Sequence, residues 1–287
     1  MTRFLLTCCL IPLVLAGSVC AAGPAPAPHG VPPVSATILD NIFAGRERLH
    51  YAISWSGGIR IGDLVLEIGA AATGDGDTIH ARVTDYGLFR LIYPVDDTFT
   101  TFVRGPFRLP YRYEVLQREG RGRETRRLTL YDQQARTVRY RKNDHPWKEY
   151  RITGPVYNEY SSFFITRALS LAPGREDIVP AFVDGKRHEV VVSVLGREER
   201  ETIFGRLQTI RVLPRMHFKG LYDKKGDTEF WLTDDDCRVP VEIRSKILVG
   251  SLVAELVEYA NPRCTPGKKA VRFVGREPEV PAVSMAR

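Results

Sequence analysis

The alternation of apolar and polar positions along this chain predicts short strands joined by tight turns. Residues 49–55 alternate, Gly57 and Gly58 supply a turn that tolerates positive φ, and 59–68 resume the apolar pattern, which reads as a hairpin. Further strands are expected over 78–86, 98–103, 107–117 and 124–130, the last two separated by a turn at 120–122. Another follows over 137–141. The second half continues with 178–183, a hairpin turn at Asp184 and Gly185, then 187–195, 198–203, 207–216, 228–233 and 239–247. In the last of these, Val239, Val241, Ile243 and Ile247 are expected to face one way and Glu242, Arg244 and Lys246 the other, leaving one face wet. Residues 87–93 are too compact and apolar to assign to strand or helix, and 251–259 fit either, with a return strand after Gly250 the better fit.

One helix is expected over 157–169. Tyr157, Tyr160, Phe164, Ala168 and then Leu169 or Leu171 recur at helical spacing, and Pro173 and Gly174 close the run. Its apolar face must be covered, and a concave sheet surface would cover it.

Composition agrees with a sheet protein. The 287 residues are 44% hydrophobic, enough for a sizeable core and unlike a disordered chain. Gly (24) and Pro (19) suit many turns, whereas three Met and no long Ala, Leu, Glu and Lys run argue against a helical bundle.

The N-terminus reads as an export signal. Arg3 precedes an apolar run over 4–19, and small residues follow for cleavage near Ala21 or Ala22. The expected organisation is a signal peptide at 1–21, a Pro/Ala-rich linker at 22–47, a single β-rich domain at 48–260 and a mostly flexible basic tail at 261–287. The periplasm is the expected compartment, with an uncleaved anchor or a lipid on Cys20 as the alternative tethers. Removal of 1–21 leaves only Cys237 and Cys264 of five cysteines. An even pair in an exported chain favours a disulfide over zinc, since no His or Cys stands at ligand spacing from either. The bond would staple the tail to the domain.

The search for chemistry returns little. No two of the six histidines form a metal motif, and Ser161 and Ser162 lack a nucleophile elbow. Gly57, Gly58 and Gly62 serve a hairpin rather than a phosphate cradle, and Asp234, Asp235 and Asp236 fit a turn better than a calcium loop. No catalytic residue, metal or cofactor is expected. The clearest charge feature is the stretch 104–151, with 14 Lys and Arg against 6 Asp and Glu, a formal +8 against +7 for the whole chain. Arg121, Arg123 and Arg127 alternate there, Arg126 breaks the alternation, and Arg139 and Arg141 complete the candidate basic face. Export makes anionic lipid, lipid-linked glycan or another envelope protein the expected partners rather than nucleic acid, and the alternative is a solvated strand face.

Several ordered segments carry a family resemblance: Tyr51 to Trp55 followed by Gly57 to Gly62, Glu159 to Arg167, Val212 to Pro214 with Phe218 to Gly220, Phe230 to Asp235 ending at 238–241, and Ile243 to Gly250. Over residues 49–259 the chain resembles the DUF3108 family of exported bacterial proteins of unknown function. The resemblance implies a mainly β fold, a strongly curved antiparallel sheet similar to the half-barrel or β-roll of periplasmic lipoprotein carriers, with one helix packed on the concave side. It implies no catalytic residues, and the two cysteines look like additions to the family pattern.

The first functional expectation is a non-enzymatic binding or carrier protein. It would hold an apolar or amphipathic envelope ligand against Tyr157, Tyr160, Phe163 and Phe164, the basic residues lying near the rim. The alternatives are an assembly factor that binds another envelope protein through edge strands or the basic face, and an enzyme with an unrecognised site. Contact with a membrane would be peripheral at most after cleavage.

Overall fold

Among the described residues fourteen strands form one antiparallel sheet, in which every strand is hydrogen-bonded to its sequence neighbours except that the eighth and ninth do not pair, and the first strand pairs with the last. The computed structural model describes residues 30–72, 74–120, 122–183, 185–216, 228–247 and 249–267. The expected signal peptide, the first part of the expected linker and residues 268–287 of the expected tail lie outside the described residues.

The strands are β1 (Arg48–Trp55), β2 (Ile59–Ala70), β3 (Asp77–Asp85), β4 (Asp96–Arg104), β5 (Leu109–Glu119), β6 (Arg123–Asp132), β7 (Thr137–Lys142) and β8 (Lys148–Arg151) in the first half. The second half has β9 (Glu176–Val183), β10 (Lys186–Thr202), β11 (Gly205–Met216), β12 (Thr228–Thr233), β13 (Pro240–Lys246) and β14 (Ser251–Ala260). Pairing runs from β8 down to β1, crosses to β14, and runs down again to β9. The crossing ladder aligns Leu49 with Tyr259 and Tyr51 with Leu256.

The half-barrel or β-roll expectation is corrected. The sheet is open: β8 and β9 stand at its two ends, and no ladder joins them among the described residues. The physical reason lies on the outer edge of β9. There the Tyr157 N–H donates to the Pro180 carbonyl at 2.8 Å and the Phe182 N–H donates to the Tyr157 carbonyl at 2.7 Å, so the chain entering the main helix takes the place a closing strand would need. Strand β8 itself has only four residues, three of them charged. At the two ends the side chains of Tyr150 and Phe182 meet, with ring centroids 5.3 Å apart.

Among the described residues three helices accompany the sheet rather than one: α1 (Ala36–Phe43), α2 (Phe89–Ile92) and α3 (Glu159–Ala168). Helix α1 falls within the stretch read as linker. Its Ile38, Leu39, Ile42 and Phe43 recur at helical spacing and are buried, and the Ser35 hydroxyl caps it by accepting from the Ile38 N–H. The single turn α2 occupies the apolar run left open at 87–93.

Helix α3 starts with a reciprocal cap in which the Asn158 carboxamide accepts from the Ser161 N–H and the Ser161 hydroxyl accepts from the Asn158 N–H. It supplies the second layer over the sheet. Tyr160 lies against Phe99 of β4 and Tyr113 of β5, Phe163 against Phe230 of β12, and Phe164 against Phe43 of α1. The largest apolar cluster gathers around this helix, with contributions from α1, β2, β3, β9, β10, β11 and β12.

Two further differences from the pattern reading have local causes. The runs 187–195 and 198–203 are one strand, because Gly196 sits at a bulge that lets β10 continue past a register shift between Val194 and Gly196. The polar side of β13 is not wet throughout, since Glu242 is buried beneath Arg200 and Arg244.

Candidate functional site

The four aromatic residues expected to line a ligand groove are gathered by α3, and they form core. Tyr157 and Phe164 are buried, and Tyr160 and Phe163 are partly buried and pack into the same clusters. The Tyr157 hydroxyl donates to the Phe107 carbonyl at 3.1 Å. Burial pushes the phenols of Tyr157 and Tyr160 well above their ordinary range, so both stay neutral.

The helix is held at both ends by buried polar groups. At its start the Asn158 amide donates to the Thr101 hydroxyl of β4 at 2.8 Å. At its end Arg167 makes a two-pronged ion pair with Glu47 at 2.5 and 2.9 Å, both side chains having 0% exposure. The same guanidinium donates to the Arg238 carbonyl at 2.9 Å and the Cys237 carbonyl at 3.2 Å. The Tyr259 hydroxyl donates to Glu47 at 3.1 Å, and nearby the Tyr51 hydroxyl donates to the Pro240 carbonyl at 2.8 Å. Burial disfavours the Arg167 charge, but the Glu47 carboxylate outweighs it and holds the pKa above its ordinary value.

The Cys237 and Cys264 side chains are joined in a disulfide with Cα atoms 5.6 Å apart, so the loop whose carbonyls receive Arg167 is tied to the chain end after β14. Asp235 organises the same loop, its Oδ1 accepting from the Thr233 hydroxyl and from the Cys237 and Arg238 N–H groups. That is a turn role for the central member of the triple-Asp run.

The candidate basic residues do not share one face. Arg127 stands opposite Val115 and Lys142 in its ladders, whereas Arg141 stands opposite Leu128 and Arg139 opposite Leu130, so β6 and β7 carry these cations on alternating sides. Arg123 is exposed, and Arg121 lies outside the described residues. Arg139 and Arg141 both stack on Trp147, with guanidinium carbons 4.8 Å from the ring centre. A groove of about 910 Å³ crosses β4 to β7, and its ionic lining is mixed, Arg126, Arg127 and Arg141 against Glu114, Glu124 and Asp144. Carboxylates also hold Arg112 and Arg118, through Glu114 and Glu124. Some cations of this stretch are thus paired, but 6 carboxylates do not balance 14 cations, and the net positive charge is spread over both sides of the strands.

A second cationic cluster, on the other half of the sheet, escaped the sequence reading. Arg200, Arg211 and Arg244 surround the Trp231 ring at 4.5 to 5.4 Å, and each meets a carboxylate, Arg211 with Glu229 and the other two with Glu242. The indole N–H donates to Glu198 at 2.6 Å, a bond that holds this carboxyl below its usual range. Trp231 is buried, and the cluster reads as structure.

The sequence of residues 50–257 matches the pattern of the family described as Protein of unknown function (DUF3108). The chain belongs to the DUF3108 family. The match takes in most of β1, all of β2 to β13 and most of β14, so the family domain is nearly the whole sheet, while Glu47 and Cys264 lie outside it. No curated protein matches the sequence. Among solved structures, this DUF3108 chain is similar to the one titled "Crystal Structure of Beta-barrel-like Protein of Domain of Unknown Function DUF1849 from Brucella abortus", with 13% identity, coverage of 75% of this chain and 97% of that one, and a TM-score of 0.52. At that identity the likeness concerns the fold alone.

The Glu47–Arg167 pair, which ties α3 to a residue just ahead of the family match, also escaped the pattern reading. A signal existed: Arg167 falls on the apolar stripe of α3, seven residues after Tyr160 and three after Phe164, where a cation needs a buried partner.

Proposed function

We propose that this chain is a non-catalytic protein of the bacterial envelope that acts through its exterior, as a docking or assembly factor, rather than by carrying a ligand beneath α3. The observation that carries this reading is the anchoring of α3. A ligand space at Tyr157, Tyr160, Phe163 and Phe164 would require the helix to move away from the sheet. That movement would part Arg167 from Glu47 and from two backbone carbonyls, and breaking a buried ion pair costs about 3–5 kcal/mol. It would also uncover the aromatic contacts with β4, β5 and β12.

The N-terminal apolar run and the disulfide support a periplasmic location in this reading. The test is native mass spectrometry of the protein purified from its own envelope, followed by organic extraction. The expected result is a protein with no stoichiometric small molecule. A bound lipid that is lost on Phe163→Asp in a folded protein would overturn the reading in favour of a carrier.

A further inference from the structure

In an antiparallel meander alternate turns collect at the same end of the sheet, and one end of this sheet is unusually apolar. The β1–β2 turn, the β3–β4 connection containing α2, and the β13–β14 turn lie side by side there, because β14, β1, β2 and β3 are neighbours in the strand order. Leu88 is 76% exposed, Leu91 69%, Val249 66% and Ile59 63%, with Trp55, Tyr86, Tyr93 and Ile247 exposed beside them. Most of the large apolar side chains that the described residues expose fall on this one rim, and a contiguous patch of this kind marks an interaction site.

The rim is built rather than frayed. The Trp55 indole N–H donates to the Val249 carbonyl at 3.2 Å, and the Ser56 N–H donates to the Ser251 carbonyl at 2.7 Å, joining the first and last turns. Arg60 stacks on Tyr86 at 4.0 Å, and the Tyr86 N–H donates to the Ile61 carbonyl at 2.9 Å, joining the first turn to the α2 connection. Gly250, at φ 81°, lies close against the first turn. A Cβ there would come within 2.6 Å of the Trp55 indole nitrogen.

Charge identifies the occupant. Segments 55–61, 86–93 and 246–251 contain three basic residues, Arg60, Arg90 and Lys246, and no acidic one. Asp63 and Asp85, which meet Arg60 and Arg90, sit behind the rim with little exposure, while the Arg90 side chain is 80% exposed. The rim thus presents aliphatic side chains, aromatic rings with polar handles and cations together, with Glu119 at its border accepting from the Tyr93 hydroxyl at 3.4 Å. This combination suits an anionic bilayer surface, where Trp and Tyr settle at the headgroup level and Arg and Lys reach the phosphates.

We infer that this rim docks the domain onto the surface of an anionic phospholipid bilayer, with Leu88, Leu91, Val249 and Ile59 entering the boundary between headgroups and acyl chains. The inference rests on the exterior-acting reading above and names the surface it acts on.

The test is flotation of the full-length chain with phosphatidylglycerol/phosphatidylethanolamine vesicles, compared with phosphatidylcholine/phosphatidylethanolamine vesicles. Wild type is compared with Leu88→Asp/Leu91→Asp, and with Ile203→Asp, which changes an exposed residue at the opposite end of the sheet. The N-terminal apolar run is common to all three, so differences between them report the rim. The double variant is expected to bind anionic vesicles about tenfold more weakly or worse, and Ile203→Asp to match wild type. Arg90→Glu, a second and separately folding variant, should weaken binding to anionic vesicles alone. Equal binding of wild type and the double variant, or a wild type indifferent to lipid charge, overturns the inference. If the purified protein still carries no extracted ligand, that failure leaves the exterior-acting reading standing and redirects the rim to a protein partner.

Discussion

Arg167 of α3 and Glu47, 120 residues earlier in the chain, meet through two hydrogen bonds with neither side chain exposed to solvent. The pair joins the helix layered over the middle of the sheet to the residue that leads into β1, and its surplus donors hold the loop containing the disulfide. Removing one partner strands the other in the core. Glu47→Leu or Arg167→Met is expected to destabilise the protein by about 3–5 kcal/mol in urea unfolding. The double substitution Glu47→Leu/Arg167→Met should recover much of that loss, because no charge is left buried. Single variants within about 1 kcal/mol of wild type would contradict the role assigned to the pair.

Reduction should matter at the same place. The Cys237–Cys264 bond spans a separation of 27 residues, for which chain entropy alone gives about 3.5 kcal/mol. Cys237→Ala/Cys264→Ala is expected to lower the urea midpoint accordingly while α3 stays in place. Equal stability of the oxidised and cysteine-free proteins would count against it.

The two stacked tryptophans should behave differently. Trp231 is buried under three arginines and bonded to Glu198, and Trp231→Ala is expected to cost about 3–5 kcal/mol. Trp147 is partly exposed under Arg139 and Arg141, and Trp147→Ala should change stability by about 1 kcal/mol or less. Equal losses would mean that the candidate basic residues of β7 are as structural as the Trp231 cluster.

Stability should fall on the alkaline side. Burial raises the phenol pKa of Tyr51, Tyr113, Tyr131, Tyr157, Tyr160 and Tyr259 above the ordinary 10.0. Their stabilising contribution is fully present below about pH 10, where folded and unfolded chains both keep the phenolic protons. It is lost as pH climbs toward the raised values, because the unfolded chain releases those protons first. Urea midpoints followed from pH 8 upward, a range set by the ordinary tyrosine value of about 10, should hold and then drop. A midpoint unchanged well beyond that value would contradict the burial described for these hydroxyls.

Much of the sheet was legible because its turns are marked locally. Gly57 and Gly58 bound strands at the expected place, and α3 lies within the expected 157–169. Three features resisted for physical reasons. Gly196 looked like a break because a bulge and a turn use the same residue. Helix α1 is too short to announce itself beside a Pro-rich run, and its burial depends on α3, which lies far along the chain. Whether the sheet closes was not written in any strand; it depends on Tyr157 occupying the edge of β9. The candidate site residues carry the same ambiguity. Aromatic residues at helical spacing read equally as groove or core, and only the Arg167–Glu47 contact decides how firmly the helix is held. The rim at Trp55, Leu88 and Val249 is assembled from three separated turns, so no single segment displayed it.

The most direct test of this account is hydrogen–deuterium exchange of the full-length protein with and without phosphatidylglycerol-containing vesicles. The account predicts slow exchange across α3 in both conditions, with added protection confined to 55–61, 86–93 and 246–251 when vesicles are present. Exchange in α3 that accelerates on vesicles, with no change at those three turns, would contradict it and return the helix to the role of a moving cover.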